Sequence, residues 1–531
     1  MLVTGYLVVL RREGGGGMGS EFVEVGVEKL GFAEVVGVAR HGAAVRLSDE
    51  ALAAVTRSRA RIDELASGPV PAYGVSTGFG ALATRHIDPS LRAALQRSLV
   101  RSHAAGSGAE VEDEVIRAMM LLRLRTLATG HTGVRPATVL LLAGLLDAGI
   151  TPVVREYGSL GCSGDLAPLS HVALALMGEG TVRVRGGEPV PAAEALTDAG
   201  LEPVELAAKE GLALINGTDG MLGMLILALD DLTRLLRTAD VTAAMSVEAL
   251  LGTDRVFAAD LQSLRPHPGQ AASAANLRAL LRDSAIMASH RDDTCTRVQD
   301  AYSLRCAPQV AGAARDTVAH AAAVASRELV AAIDNPVVLG DGRVESNGNF
   351  HGAPVGYVLD FLAIAAADVA SMAERRTDRM LDVSRSHGLP AFLADDPGVD
   401  SGHMIAQYTQ AAVVSEMKRL AVPASVDSIP SSAMQEDHVS MGWSAARKLR
   451  RSIDGLTRVL AVELLTAARA LDLRHPLTPA PATAAVVRAL RLRVQGPGPD
   501  RYLSPEIEEV TRLVAAGVPV TAAESVTGPL A

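Results

Sequence analysis

Apolar residues recur at helical spacing along most of the chain after about Ser48, with arginine or glutamate between them. Alanine and leucine in this arrangement favour long helices. The predicted helix that begins at residue 310 is expected to stop before Pro336, because proline cannot continue a helix and disfavours helical geometry in the residue before it. The clearest predicted helices cover residues 221–251, 310–333, 357–381, 405–420 and 445–471.

Two short segments break the helical pattern and predict small β-hairpins. They cover residues 181–190, around a Gly-Gly pair, and residues 337–345, around Asp341-Gly342, a pair that tolerates positive φ. Aromatic residues make up only 3% of the chain, so aliphatic side chains must fill the core. We therefore expect a mainly α fold, namely a large bundle of long helices with a loop-rich N-terminal region and small β-hairpins.

The chain is expected to divide into three stretches. Residues 1–20 contain a glycine-rich run and are interpreted as a flexible N-terminal extension or an expression-derived segment. Their apolar run at 2–10 precedes Arg11 and Arg12 instead of following them, which is the wrong order for a secretory signal. Residues 21–220 form an N-terminal region that carries a glycine-rich loop, and residues 221–531 form the long-helix bundle and C-terminal region.

Charge and cysteine content exclude several classes of protein. A net charge of -10 disfavours a nucleic-acid or anionic-membrane binder, which needs basic patches. Three cysteines without close pairing predict neither a disulfide framework nor a metal site, and a reducing cytoplasm fits them best. Apolar runs such as residues 221–229 are bounded by aspartates, short of the roughly 20 residues that a membrane span needs.

Glycine-rich polar segments interrupt the predicted helices at six places. They share amide, phenol and carboxyl groups, which suggests loops that converge on one pocket. These segments cover residues 73–80, 158–165, 216–218, 299–305, 347–350 and 431–441.

The segment 158–169, GSLGCSGDLAPL, has the chemistry to build an electrophile. Attack of the Gly164 amide nitrogen on the Cys162 carbonyl carbon needs a nitrogen unhindered by Cβ and a tightly bent chain, and glycine provides both. Loss of water from that ring and from the Ser163 hydroxyl would leave a methylidene-imidazolone. Natural side chains offer no comparable electrophile.

This segment closely resembles the signature of the aromatic amino acid ammonia-lyase family, which usually has Ala-Ser-Gly at its centre. Cys162 stands in the alanine position and would contribute only backbone atoms to the ring. The resemblance implies a 4-methylidene-imidazol-5-one (MIO) group formed autocatalytically from Cys162, Ser163 and Gly164. It extends from about residue 35 to the C-terminus through further matching strings at residues 73–80, 214–218, 299–306, 348–351 and 435–441.

The resemblance also assigns residues to the chemical step. Eliminating ammonia from an α-amino acid requires removal of a weakly acidic β-proton and expulsion of a poor leaving group. Tyr73 matches the family's base. Asn216 matches a hydrogen-bond donor to the electrophile, where negative charge develops, and Tyr302 is expected close by.

Three more residues match positions that hold the substrate. Arg305 matches the position that binds the substrate carboxylate, for which a planar guanidinium is suited. Gln299 and Phe350 match positions that line the pocket. Together with the catalytic groups they imply one site for a small-molecule substrate, without metal, nucleic acid or membrane.

Two positions indicate which amino acid is bound. Ser102-His103 resembles the histidine-selective members of the family, whereas phenylalanine-selective members carry an apolar pair and tyrosine-selective ones usually His-Leu. Glu436 falls where the phenylalanine branch has glutamine. A carboxylate and an imidazole suit the polar edge of a substrate imidazole. We therefore expect elimination of ammonia from L-histidine to give urocanate, with Glu436 among the catalytic groups and His103 as a substrate contact.

Other interpretations stay open at this point. A tyrosine or phenylalanine ammonia-lyase or a 2,3-aminomutase of the same family would use the same electrophile, and Glu436 is the main discriminator. A helical scaffold that binds partners through a decayed catalytic loop is disfavoured, because every polar group the chemistry needs is present.

His171 and His351 are interpreted as packing residues. Asp219 and Met434 depart from the pattern of many histidine-selective members.

The resemblance further implies a homotetramer in which loops of more than one subunit complete each pocket. Long alanine-rich helices support this indirectly, since a monomer would expose their apolar stripes.

Overall fold

The computed structural model describes residues 22–27, 30–68, 74–78, 87–162, 164–291 and 298–531. Tyr73 and Ser163, two of the predicted catalytic residues, lie outside the described residues, as do the N-terminal extension and Cys295.

Helices make up most of the described chain, which confirms the predicted mainly α fold. Local signals set several of their ends; for example, Ser48 precedes the second helix and accepts a hydrogen bond from the Ala51 N–H at 3.1 Å. The helices are α1 Phe32–His41, α2 Asp49–Ser67, α3 Arg92–His103, α4 Asp113–Ala128, α5 Pro136–Ala148, α6 Leu166–Leu176, α7 Ala192–Asp198, α8 Glu210–Ile215, α9 Asp219–Ala249, α10 Ala259–Ser263, α11 Pro268–Leu280, α12 Ala285–Ala288, α13 Tyr302–Arg305, α14 Ala307–Glu328, α15 Ala353–Leu381, α16 Met404–Leu420, α17 Gly442–Asp472, α18 Pro481–Arg491, α19 Ser504–Ala515 and α20 Val518–Thr527.

The five long helices predicted from periodicity correspond to α9, α14, α15, α16 and α17, with one clear difference. Helix α14 ends at Glu328, five residues before the predicted end at residue 333. Buried arginines account for this early end. Arg123 donates to the Ile333 carbonyl at 2.8 Å and Arg125 to the Ala331 carbonyl at 2.7 Å, so these carbonyls are satisfied without helical geometry.

Within the described ranges the strands are short and form four small sheets. Strands β1 Phe22–Val25 and β2 Ala44–Leu47 pair in parallel, and β3 Ser107–Glu110 pairs antiparallel with β5 Arg155–Tyr157. Both predicted hairpins are confirmed. The first joins β6 Thr181–Val184 to β7 Pro189–Pro191 and also pairs with β4 Ile150–Pro152; the second joins β8 Val337–Val338 to β9 Val344–Glu345.

The chain forms two compact units. The first comprises Met1–Leu227, Ala322–Asp360 and Pro423–Arg447, and the second comprises Ala228–Ala321, Phe361–Val422 and Lys448–Ala531. The three stretches predicted from the sequence, with boundaries at residues 20 and 220, stay a prediction.

Helix α4 lies at the centre of the first unit. From Val115 to Ala128 all but one of its residues are buried, and it packs against α1, α2 and α5. Charged groups buried in this unit include a directly paired example, as expected when burial removes water. Lys209 and Asp334, both fully buried, form an ion pair.

The second unit is organised around buried carboxylates. Glu463 on α17 accepts hydrogen bonds from Thr242 at 2.7 Å, from Ser246 at 2.8 Å and from the guanidinium of Arg376. Asp240 accepts from Asn276 at 2.8 Å in the same way. Such paired networks fix the relative rotation of apolar helices, which aliphatic packing alone specifies weakly.

Among the described residues, only helix α15 is long and apolar enough to cross a membrane by length and composition. In its most apolar window 61% of the residues are buried inside the protein, as is typical of a core helix.

Candidate active site

The loop at residues 158–165 is fixed by two segments that are distant in sequence. The Gly161 carbonyl accepts hydrogen bonds from the Ser440 hydroxyl at 2.8 Å and from the Gly352 N–H at 3.1 Å. The Met441 N–H donates to the Leu160 carbonyl at 2.8 Å. The backbone on the N-terminal side of the predicted electrophile is therefore held from outside the loop.

Gly164 occupies a position that accepts no side chain. Its φ is +78°, in the left-handed region, and a Cβ there would lie 1.9 Å from the Gly217 carbonyl oxygen. The same carbonyl accepts a hydrogen bond from the Asp165 N–H at 2.6 Å. Residue 164 thus has a left-handed backbone at a position that requires glycine.

Asp165 ties the loop to the start of α9. Its buried carboxylate accepts the N–H groups of Gly220 and Met221 at 2.9 Å each, and the Ser159 hydroxyl at 3.0 Å. Burial raises the pKa of Asp165 to about 7, against these hydrogen bonds, which lower it. The carboxyl group anchors the C-terminal side of the loop at a helix N-terminus.

Asn216 directly follows α8 as its C-cap residue and is almost fully buried. Its Nδ2 donates to the Asn335 carbonyl at 3.0 Å, while its Oδ1 is buried without a hydrogen-bond partner among the described residues. Because Nδ2 carries two hydrogens, the amide retains both a donor and an acceptor for a bound group. An unpartnered buried amide oxygen beside the loop is typical of a binding site.

The carboxylate of Glu436 lies against the predicted electrophile. The Cys162 thiol donates to Glu436 Oε2 at 3.1 Å, and the Ser431 hydroxyl donates to the same oxygen at 2.9 Å. Desolvation by burial, and secondarily the hydrogen bond and charge of Glu436, raise the pKa of Cys162 to about 12. The thiol is therefore neutral and a donor at physiological pH.

His103 is the last residue of α3, and its ring orientation is set locally. Nδ1 lies 2.9 Å from the Leu99 carbonyl, so this nitrogen carries the proton and Nε2 is left as an acceptor. Burial lowers the pKa of His103, against the opposing effects of the Leu99 hydrogen bond and the Glu436 charge. The ring is thus neutral and within the electrostatic reach of Glu436.

The other predicted site residue in the first unit, Phe350, is half-buried in the segment that leads to Gly352. His351, interpreted from the sequence as packing, stacks on His438 with ring centroids 5.6 Å apart. Its Nδ1 accepts the Ala353 N–H at 3.3 Å, consistent with that interpretation.

Gln299, Tyr302 and Arg305 lie close together in the second unit. Tyr302 begins the short helix α13 and Arg305 ends it, with the guanidinium carbon 4.6 Å from the centre of the Tyr302 ring. The Tyr302 side chain is 69% exposed, and Gln299 is also exposed. The Arg305 Nε is buried without a hydrogen-bond partner among the described residues.

Sequence reasoning missed several residues that support the site. Ser159, Asp165 and Ser440 stood inside the matched strings, so only their hydrogen-bond partners were missing. Ser431 carried no signal except its place at the start of a polar segment. Asp219, noted as a departure, lies 3.5 Å from the buried Arg123 guanidinium, which compensates its charge.

Comparisons with known proteins find similarity over nearly the whole chain. The family model described as aromatic amino acid lyase matches residues 30–492. A histidine ammonia-lyase of Streptomyces avermitilis is 66% identical over 510 residues, covering 96% of this chain and 99% of the relative. A tyrosine aminomutase structure from Streptomyces globisporus superimposes with a TM-score of 0.91 at 40% identity, covering 96% of this chain and 100% of the other. A histidine ammonia-lyase structure from Trypanosoma cruzi gives 0.87 at 38% identity, covering 95% of each chain.

Proposed function

This chain belongs to the aromatic amino acid lyase family, and from that premise we propose that it eliminates ammonia non-oxidatively from L-histidine to give urocanate. The observation that carries the proposal is the Glu436 carboxylate, which contacts Cys162 of the Cys-Ser-Gly tripeptide and acts electrostatically on the neutral ring of His103. The Glu436 carboxylate, which we propose binds the substrate imidazole, thus contacts the tripeptide. The 66% identity to a histidine ammonia-lyase supports the same substrate.

The proposed electrophile is an MIO group made from Cys162, Ser163 and Gly164. Two observations fit it: Gly164 has a positive φ at a position that excludes Cβ, and Asn216 presents a buried, unpartnered amide oxygen beside the loop. Once formed, the group supplies an electrophilic alkene toward the substrate amine. Asn216 Nδ2 would stabilise negative charge at the ring, since a fixed donor in a buried site needs little reorganisation.

Glu436 and His103 are proposed to bind the imidazole of the substrate. The His103 Nε2 accepts, and the Glu436 carboxylate also accepts, so an imidazole N–H finds a charged partner. A phenyl ring would leave both groups unpaired, at a cost of a few kcal/mol. This difference is the basis of the proposed preference for histidine.

The remaining roles follow the family match. Tyr73 would remove the β-proton through its phenolic oxygen, Arg305 would bind the carboxylate, and Tyr302 would lie close to the electrophile. Gln299 and Phe350 would line the pocket.

We also propose a homotetramer with shared active sites, located in the cytoplasm. Exposure supports the assembly: Tyr302 is 69% exposed in the single chain, and Tyr357, Phe361 and Ile364 form an exposed apolar stripe on α15. Dissociation and loss of activity should then coincide when protein is diluted or heated, because each subunit alone holds an incomplete pocket. Light scattering with parallel assays measures this, and an active monomer would refute it.

A tyrosine-directed lyase or 2,3-aminomutase is the second candidate, favoured by the similarity to the Streptomyces globisporus enzyme. Incubating the pure protein separately with histidine, tyrosine and phenylalanine, and identifying the products, decides between them. Urocanate from histidine as the preferred reaction supports our proposal. A preference for tyrosine, or a β-amino acid product, supports the alternative.

Replacing Glu436 with glutamine should lower kcat/KM for histidine sharply, because the charge-assisted contact becomes a weaker neutral one. Activity on tyrosine or phenylalanine should fall much less, so the ratio of kcat/KM values is the decisive quantity. Asp437→Asn removes the same charge from an adjacent exposed residue and should leave the ratio unchanged. An equal loss on all three amino acids would show that the substrate assignment is wrong.

A further inference from the structure

We propose that the Cys162 thiol and the Ser431 hydroxyl are positioning groups that hold the Glu436 carboxylate in the orientation that binds the substrate imidazole. The inference rests on the proposed function of Glu436 and adds a role for the side chain of the tripeptide's first residue. The sequence analysis assigned only a backbone role to this residue.

The two donors converge on a single atom. The Cys162 Sγ lies 3.1 Å and the Ser431 Oγ 2.9 Å from Glu436 Oε2. Both hydrogen bonds occupy the same oxygen, so Oε1 is left to accept from a ligand. A carboxylate fixed by two donors also loses less side-chain entropy when it binds than a freely rotating one.

The thiol remains available after the electrophile has formed. Ring closure uses the carbonyl carbon of Cys162 and the amide nitrogen of Gly164, whereas dehydration consumes the Ser163 hydroxyl. The Sγ takes part in neither reaction. Cys162 is buried, and the neutral thiol is the only form of its side chain that can donate to a carboxylate.

Ser431 is itself held in place by backbone pairing. Its N–H donates to the Glu436 carbonyl at 2.9 Å, and the Glu436 N–H donates back at 3.3 Å. Three of the four intervening residues, 432–434, have positive φ, a costly conformation for side-chain-bearing residues that the surrounding contacts must maintain. The turn therefore presents Ser431 and Glu436 as one unit to the thiol.

A double-mutant cycle tests the inference. Cys162→Ala removes the thiol and introduces the residue that the family usually has at this position. It should lower kcat/KM for histidine by about three- to tenfold, the typical worth of one hydrogen bond. Combined with Glu436→Gln it should cause less than about a twofold further loss, because the group it positions is already impaired. Ser431→Ala should behave in the same way.

Two controls separate positioning from maturation and packing. Intact mass should show the loss of two waters in Cys162→Ala as in the original chain, so the electrophile is formed. Cys162→Ser restores a donor of similar size and should recover at least about half of the lost activity. An unchanged kcat/KM in Cys162→Ala, an equal loss in both backgrounds, or no recovery with serine would each overturn the proposal.

A second measurement does not depend on turnover. If the Glu436 carboxylate accepts the thiol hydrogen bond, Glu436→Gln removes a negative charge that raises the pKa of Cys162. The thiolate fraction should then increase, and the alkylation rate of Cys162 by iodoacetamide at a fixed alkaline pH should rise by about threefold or more. Peptide mapping reports Cys162 separately from Cys306, which serves as the reference thiol. An unchanged Cys162 rate would contradict the contact even in an enzyme that acts on histidine. If the original chain did not turn over histidine but the alkylation rate of Cys162 still rose in Glu436→Gln, the proposed function would be refuted and the contact would stand.

Discussion

Replacing Ser163 with alanine is expected to abolish ammonia release while leaving helical content and assembly unchanged. The substitution removes only the oxygen whose loss is proposed to create the alkene, and the loop is held by hydrogen bonds at Gly161 and Asp165. Without the electrophile the amine remains a poor leaving group, so no residual route of comparable rate exists.

Intact mass spectrometry and circular dichroism measure this outcome directly. The original chain should be lighter than its sequence mass by two waters. The Ser163→Ala variant should not show this deficit of two waters, because alanine has no hydroxyl to lose and cannot form the alkene. Ser525→Ala, at an exposed position in α20, is the matched control and should leave both mass deficit and activity intact. Active protein with the full unmodified mass would eliminate the self-made electrophile.

Replacing Tyr73 with phenylalanine should lower kcat for histidine by roughly 100- to 10,000-fold, the usual worth of a general base. Phenylalanine keeps the aromatic ring, and only the hydroxyl that is proposed to accept the β-proton is lost. KM should change little, since the proton moves only in the transition state. Steady-state kinetics over a range of histidine concentrations separate the two constants.

The same deletion at a surface residue provides the comparison. Tyr502→Phe removes a phenolic hydroxyl from a side chain that is largely exposed and should leave kcat unchanged. Near-normal turnover in Tyr73→Phe would place the base elsewhere, with Glu436 the first residue to test. An equal loss in both variants would indicate damage to stability and not to proton transfer.

Local chemistry explains what could be predicted about the site. Cyclisation depends on three consecutive residues, so the candidate electrophile could be identified before any tertiary contact was known. The contacts of Cys162, Ser431 and Glu436 could not, because residues 162 and 436 meet only through folding. Their sequence separation of 274 leaves no periodic or spacing signal.

The sequence by itself determined the long helices, both hairpins and the family, since helical periodicity, turn residues and motif order are all local properties of the chain. Tertiary structure decided where α14 ends, because the buried guanidinium groups of Arg123 and Arg125 capture carbonyls beyond it. It also decided that β4 joins the first hairpin and that Asp219 is compensated by Arg123. Each of these depends on which polar group is buried beside which, and only packing of distant segments fixes that.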